Sequence, residues 1–340
     1  MGWYMTSDLD RFLAAAGDYL KSRAAENALL LSAAQTALDA QSARDAQQSA
    51  LDAQAAHDAP AAHGAQQPAL DGQPGRDGQT AGEPAEGPGP LFGWWDPPDG
   101  SGPRGAFLHD PSVPLLIAGR APETAAALAA ALAKAGRFVR GVDGPASAAD
   151  AFAAAWSQRA GLAIRVHGKS RVYRLTETAP AENGSARNGS AQNGPAGRLR
   201  IAAAADRALL VAWLRAFGAE VGELTGSPEA DADDLLSYGG AAFWEVGQPV
   251  AMATITRPVA RTVRINMLYT PPECRRNGYA AAVMRAVSRA ALAGQAREVV
   301  LITDENSPQR LAARLGYELI GERATLRFGP QTGPQPRLRG

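Results

Sequence analysis

The stretch Arg275-Arg-Asn-Gly-Tyr-Ala280 puts two guanidinium groups and a glycine at the mouth of an alanine-rich segment. Before it come Met267-Leu-Tyr-Thr270, which reads as a strand end, and a loop holding Pro271 and Pro272. A basic, glycine-bearing loop between a strand and a helix suits a diphosphate. The first turn of a helix has N–H groups with no intrahelical acceptor, and the helix dipole adds partial positive charge there. Gly278 lacks a Cβ, so a ligand can approach the backbone closely.

The other reactive side chains give weaker signals. Cys274, the single cysteine, lies in the same loop, but no histidine is near it in sequence, and a reactive thiolate needs surroundings that lower its pKa. One cysteine excludes an internal disulfide framework and suits a reducing compartment. His57, His63, His109 and His167 show no metal-ligand spacing, so no metal is expected. Asp231, Asp233 and Asp234 form an acidic turn that suits a cationic amine and equally a solvated surface. Arg285 and Arg289 recur at helical spacing and read as a solvated face rather than a nucleic-acid stripe. Trp94, Trp95 and Trp156 read as core aromatics.

These residues need a scaffold, and a chain of 340 residues suits two domains. In the second half, a strand at 199–202 leads to a helix over 206–221. A hairpin follows, 241–246 with 250–257, turning at Gly247-Gln248. A strand at 261–269 alternates, with Val263, Ile265, Met267 and Tyr269 on one face and Arg264, Asn266 and Leu268 on the other. The basic loop opens a helix over 278–293. Glu298-Val-Val-Leu-Ile-Thr303 is apolar enough for a strand buried on both faces, and a short helix ends at Leu315 before a last strand around 325–328. The first half shows a helix over 8–32, order returning at 91–95, short strands at 105–108 and 113–118, helices over 121–136 and 147–160 with a short strand or turn at 140–143 between them, and a strand over 162–175. Residues 36–90 carry short repeats such as Leu38-Asp-Ala-Gln41 and Leu51-Asp-Ala-Gln54. With no usable apolar face, they read as a disordered insertion, helical at most at its start. Residues 179–197, with Asn183-Gly-Ser and Asn188-Gly-Ser, read as a flexible linker, and 330–340 as a disordered tail.

Residues 198–329 resemble the GNAT superfamily of acyl-CoA-dependent N-acyltransferases. The Arg/Gln-x-x-Gly-x-Gly/Ala signature stands as Arg275-Arg-Asn-Gly278-Tyr-Ala280. Leu268-Tyr-Thr-Pro-Pro-Glu273, Leu301-Ile-Thr-Asp-Glu-Asn306 and Leu315-Gly-Tyr317 match the neighbouring motifs in order. Residues 1–35 and 91–178 look like a degenerate GNAT-like N-terminal domain of the tandem actinobacterial type, without the basic glycine loop. The resemblance implies an α/β fold of two GNAT-like domains, each a mixed, largely antiparallel sheet flanked by helices. It implies acetyl-CoA as co-substrate, with Leu268, Tyr269 and Thr270 along the pantetheine. Arg275, Arg276, Asn277, Gly278, Tyr279 and Ala280 then hold the diphosphate, with Asn306 also on the cofactor. An amine, on a small molecule or a protein, attacks the thioester directly. Glu245, Glu220 and Glu223 are the candidate bases, Glu245 foremost.

The sequence departs from the family at Ala312, where a tyrosine general acid is usual, and Tyr317 or Tyr269 is the candidate substitute. The loop has Arg276 and Asn277 where glycine and a basic residue are frequent. The function expected is therefore N-acetyl transfer to an amine, and the alternative is a catalytically weak acyl-CoA-binding sensor acting through a partner. Lysine plus arginine and aspartate plus glutamate both total 34, which points to neither nucleic acid nor membrane. No apolar run approaches a membrane span, and the N-terminus has no signal-peptide pattern, so a cytoplasmic bacterial protein is expected. Oligomeric state and the identity of the amine stay open.

Overall fold

The computed structural model describes residues 2–58, 89–176, 195–222, 226–304 and 309–330. Short 3-10 turns aside, the first half runs β1 (Gly2–Thr6), α1 (Leu9–Ser22), α2 (Ala28–Asp58), β2 (Leu91–Asp96), β3 (Gly105–His109), β4 (Leu115–Ala118), α3 (Pro122–Lys134), β5 (Gly141–Pro145), α4 (Ala146–Ala160) and β6 (Leu162–Leu175). The second half runs β7 (Arg198–Ile201), α5 (Arg207–Val221), α6 (Pro228–Tyr238), β8 (Ala241–Val246), β9 (Gln248–Ile255), β10 (Thr262–Tyr269), α7 (Tyr279–Ala293), β11 (Glu298–Asp304), α8 (Gln309–Arg314) and β12 (Glu318–Pro330). The two halves have the same succession of strands and helices.

Among the described residues all strands join one 12-stranded sheet in the order β1-β2-β3-β4-β5-β12-β6-β11-β10-β9-β8-β7. Exchanging each strand for its counterpart in the other half reads this order backwards, so a pseudo-twofold axis passes between β12 and β6. The parallel pairs β4–β5 and β10–β11 are counterparts, and the remaining neighbours are antiparallel. The expected mixed, largely antiparallel sheet flanked by helices is present. Its two halves are continuous because their last strands are exchanged: β6 lies between β11 and β12, and β12 between β5 and β6. The boundary placed at 179–197 therefore divides the chain but not the sheet.

Helices cover both faces. Over the first half, α1 and α2 bury Phe12, Leu20 and Leu31 against Phe92, Trp94 and Leu108. The opposite face carries α3 and α4, with Leu128, Phe152 and Trp156 against Phe107, Ile117 and Leu326. Trp94 and Trp156 are thus core residues. Over the second half, α5 and α6 cover Phe243, Met252 and Tyr269. The other face carries α7 and α8, with Met284 and Leu315 against Ile265, Val299 and Leu301.

Three sequence expectations change. The helix over 8–32 is two helices, because Asn27 Nδ2 donates to Leu20 O (3.1 Å) and holds the break between α1 and α2. α2 runs on to Asp58, so the first part of the 36–90 segment is helical, while 59–88 lies outside the described residues. Its surface has helix-spaced bonds such as Gln35 Nε2 to Asp39 Oδ1 (2.9 Å) and Gln48 Nε2 to Asp52 Oδ1 (2.8 Å). The acidic turn is helix α6, capped by Ser227 Oγ accepting from Ala230 N (3.3 Å), with Pro228 in its first turn and Gly239 closing it at φ 70°. Most of the linker and the tail, 177–194 and 331–340, also lie outside the described residues. Among the described residues no helix is long and apolar enough to cross a membrane.

Candidate acyl-CoA cleft

β10 and β11 pair from Thr262 with Glu298 to Ile265 with Leu301, and then part. β10 continues to Tyr269 and β11 to Asp304 with no ladder between them. At the point of parting the register of β10 against β9 slips between Ile265 and Met267, leaving Asn266 as the extra residue of a bulge. The bulge corrects the strict alternation read from the sequence. Leu268 packs with Ile265 on the α7 side, while Met267 and Tyr269 turn to α5 and α6. A cleft thus opens at one end of the sheet. Thr270 follows β10 and Thr303 lies near the end of β11, and both hydroxyls are buried without a hydrogen-bond partner among the described residues.

The loop after β10 is held in a defined shape. Arg275 Nε donates to Thr270 O (2.9 Å) and its Nη2 to Glu220 Oε1 (2.5 Å), bracing the loop against the end of α5. Both partners of this ion pair are exposed, so its contribution is about 1 kcal/mol at most. Asn277 Nδ2 donates to Cys274 O (3.2 Å) and Arg275 O (3.3 Å). Arg276 and Gly278 adopt φ of 66° and 81°. Left-handed residues in such alternation turn successive N–H groups to one side, an arrangement that receives anions. The N–H groups of Arg276, Asn277 and Gly278 find no well-aligned acceptor among the described residues. Gly278 is the N-cap of α7 and offers no side chain to its first turn, so the amides at Tyr279 and Ala280 face the same space. The counterpart in the first half is shorter: β4 ends at Ala118 and α3 starts at Pro122, leaving only Gly119, Arg120 and Ala121 between them, with Gly119 at φ 107°.

Of the residues assigned to the cofactor, Leu268, Tyr269, Thr270, Arg275, Arg276, Asn277, Gly278, Tyr279 and Ala280 lie together along the cleft and its loop. Asn306 is outside the described residues, as is Glu223. The catalytic candidates Glu245, Glu220 and Tyr317 each have a partner of their own. Glu245 is bound by Arg198 Nη2 (2.8 Å) and Arg200 Nε (3.0 Å), and Arg200 in turn holds Asp206 (2.6 Å). The hydrogen bond from Arg198 leads the causes that push the Glu245 carboxyl below its usual range, with Arg200 assisting. A carboxylate so occupied is a weaker base, and this one ties β7 to β8. Glu220 braces Arg275. Asp233 and Asp234 are engaged by Arg207 and Arg257.

Tyr317, the candidate general acid, is a buried side chain. It is buried among Ile265, Met284, Leu301 and Ala312. Ser288 Oγ donates to Met284 O (2.6 Å), which leaves the Tyr317 hydroxyl to donate to Ser288 Oγ (2.7 Å). Burial pushes the phenol up to about 12, and the Ser288 bond only partly offsets this. Tyr317→Phe should lower stability by about 1 kcal/mol and leave acetyl-CoA affinity unchanged, measured by thermal melting and calorimetry.

Residues 207–317 match the family model described as the acetyltransferase (GNAT) family. This segment is a GNAT domain. A search of curated proteins found no match to the chain. Among solved structures, the chain is similar to a GCN5-related N-acetyltransferase from Sphaerobacter thermophilus, at 15% identity and a TM-score of 0.49 over 70% of this chain and 80% of that one. A GNAT-family acetyltransferase from Colwellia psychrerythraea gives 13% identity and a TM-score of 0.46 over 70% and 84%. A GCN5-related N-acetyltransferase from Kribbella flavida gives 19% and 0.43 over 66% and 86%. The GNAT domain spans the braced loop and the point where β10 and β11 part. Two features of the cleft were not anticipated from sequence. The orphan hydroxyls of Thr270 and Thr303 follow from burial, which no motif reports. Arg264 was read as one member of an alternating strand, and its buried Nε without a partner sets it apart.

Proposed function

We propose that the GNAT domain transfers an acetyl group from acetyl-CoA directly to an amine. The observation that carries this reading is the braced loop at the mouth of the cleft, with unpaired amides at 276–278 continuing into the first turn of α7. These amides would hold the diphosphate, and the positive end of α7 adds to them. The pantetheine would lie between the lips of the cleft, where Thr270 and Thr303 have hydroxyls without partners. A thioester at the point of parting is then open to an amine from the α5–α6 side.

The chain supplies position more than acid–base chemistry. Glu220 and Glu245 are both engaged by arginines, so the amine arrives as the neutral form drawn from solution. Ala312 is buried and brings no hydroxyl, and the departing thiolate takes its proton from water. A thiol of ordinary pKa near 8.5 needs little help to leave. The first half, whose counterpart loop is only Gly119, Arg120 and Ala121, serves as a scaffold that does not bind CoA, and the reading requires neither metal nor membrane.

The test is calorimetry with acetyl-CoA and a thiol-release assay across a panel of amines. Binding with amine-dependent release that rises with pH toward the pKa of the amine is the expected result. Binding without release for any amine would overturn transfer and leave a CoA-binding module. Absence of binding would overturn both.

A further inference from the structure

Arg264 sits on the ladder just before β10 and β11 part, opposite Val300 and two residues before the tip of the bulge. Val300 packs against Ala25 and Ala28, so Arg264 faces the side of the sheet where α1, α2, α5 and α6 lie. Its Nη1 donates to Asn266 Oδ1 at 2.6 Å. Its Nε is buried with no partner, and its Nη2 donates to none of the described residues. Nε and Nη2 form the edge of a guanidinium that grips a carboxylate side-on. This chain uses that edge elsewhere: Arg207 binds Asp233 through Nε (2.6 Å) and Nη2 (2.8 Å). Arg323 binds Asp143 through the same two nitrogens at 3.1 and 2.5 Å.

No neighbouring acid of the described residues serves Arg264. Asp143 is taken by Arg323 and Thr325, Asp234 by Arg257, and Glu298 by Arg174 and Thr262. Burial, and then the positive charge of Arg323, push the Arg264 guanidinium down to about 10. Tyr238 and Asp143 offset this only in part. A fold gains nothing from leaving a buried guanidinium edge unpaired, because the desolvation is not recovered. The neighbouring wall belongs to the first half. Val259 packs on the α1–α2 core, and Asp39 of α2 is close enough to Arg257 to raise its pKa.

We propose that the acceptor amine carries a carboxylate, held side-on by Nε and Nη2 of Arg264 where β10 and β11 part. The proposal rests on the transfer reading above for the word acceptor, but the anchor itself is a binding site. Asn266 fixes the guanidinium from the other edge, and the amine of the same molecule is directed into the cleft. A free amino acid, or a peptide whose acidic group lies near its amine, has this chemistry.

The test uses the full chain, wild type and Arg264→Met, with N-acetylated amino acids and their uncharged methylamides as probes. Calorimetry should show the carboxylates binding the wild type about 10- to 100-fold tighter than the methylamides, the range of a charge-assisted pair. Arg264→Met should erase that difference and keep the acetyl-CoA Kd, while Arg264→Lys should keep part of it. Equal affinity of the two probes for the wild type would overturn the anchor, and this comparison decides even if the variants do not fold. A preference that survives in Arg264→Met would overturn it as well. Carboxylate-selective binding with no thiol release for any amine would sink the transfer reading and leave the anchor. Thiol release with equal kcat/KM for amino acids and their amides would sink the anchor and leave transfer.

Discussion

Gly278→Trp should bind acetyl-CoA on the order of 100-fold more weakly than the wild type, a change of about 2.7 kcal/mol. The cause is local. Gly278 has φ of 81° and stands at the N-cap of α7, so a side chain there occupies the approach to the loop amides. A Cβ at this position would meet Pro195 Cδ at 3.6 Å, an ordinary contact, so the backbone conformation is the main structural cost. That cost is about 1–2 kcal/mol for a non-glycine residue in the left-handed region. The variant should therefore fold with a slightly lower Tm, and calorimetry then reads the loss of affinity separately. An unchanged Kd would place the diphosphate elsewhere.

The second large effect concerns the exchanged strands. Residues 195–340 expressed alone should not form a stable monomer, because β6 is missing from between β11 and β12. β6 contributes Tyr173 and Leu175 to a core of the second half, and Val172 to the cluster in which Val300 meets Ala25 and Ala28. At about 1.5–3 kcal/mol for each large apolar side chain, their loss removes roughly 4–9 kcal/mol, comparable to the whole stability of many domains. Ladder bonds on two sides of β6 go with them. Cutting the intact protein within 179–194 is a different experiment with the opposite expected result. The two pieces should stay together on size-exclusion chromatography, since the sheet and not the linker joins them. Independent folding of 195–340 as a monomer with a native melting transition would contradict the strand exchange.

Much of this architecture was legible locally. The strand at 162–175, the helix opening at Gly278 and the apolar run beginning at Glu298 are written in period and punctuation, and they stand as read. The acidic stretch at 231–234 misled because its charges hide a short helix, although Ser227-Pro228 before it and Gly239 after it carry the capping signal. The bulge at Asn266 left no mark in the pattern, since one inserted residue changes only the facing of those that follow. Sequence could not show that Arg198 and Arg200, far away along the chain, close on Glu245. Arg264 escaped notice for the converse reason: what distinguishes it is a partner it lacks. Nor could pairing partners be read for β6 and β12, whose own sequences suit any central strand.

The exchange of β6 and β12 also sets an order of events during synthesis. β6 ends at Leu175, whereas the strands that flank it, β11 and β12, end at Asp304 and Pro330. At about 5–20 residues per second, that delay lasts from several seconds to about half a minute. Through that interval the first half has a long central strand with both edges open and no β12 to complete its core against α4. Such a nascent chain is a target for chaperones and for pairing with another copy of itself. Maturation of the two halves is thus a single late step, gated by emergence of the last strand from the ribosome.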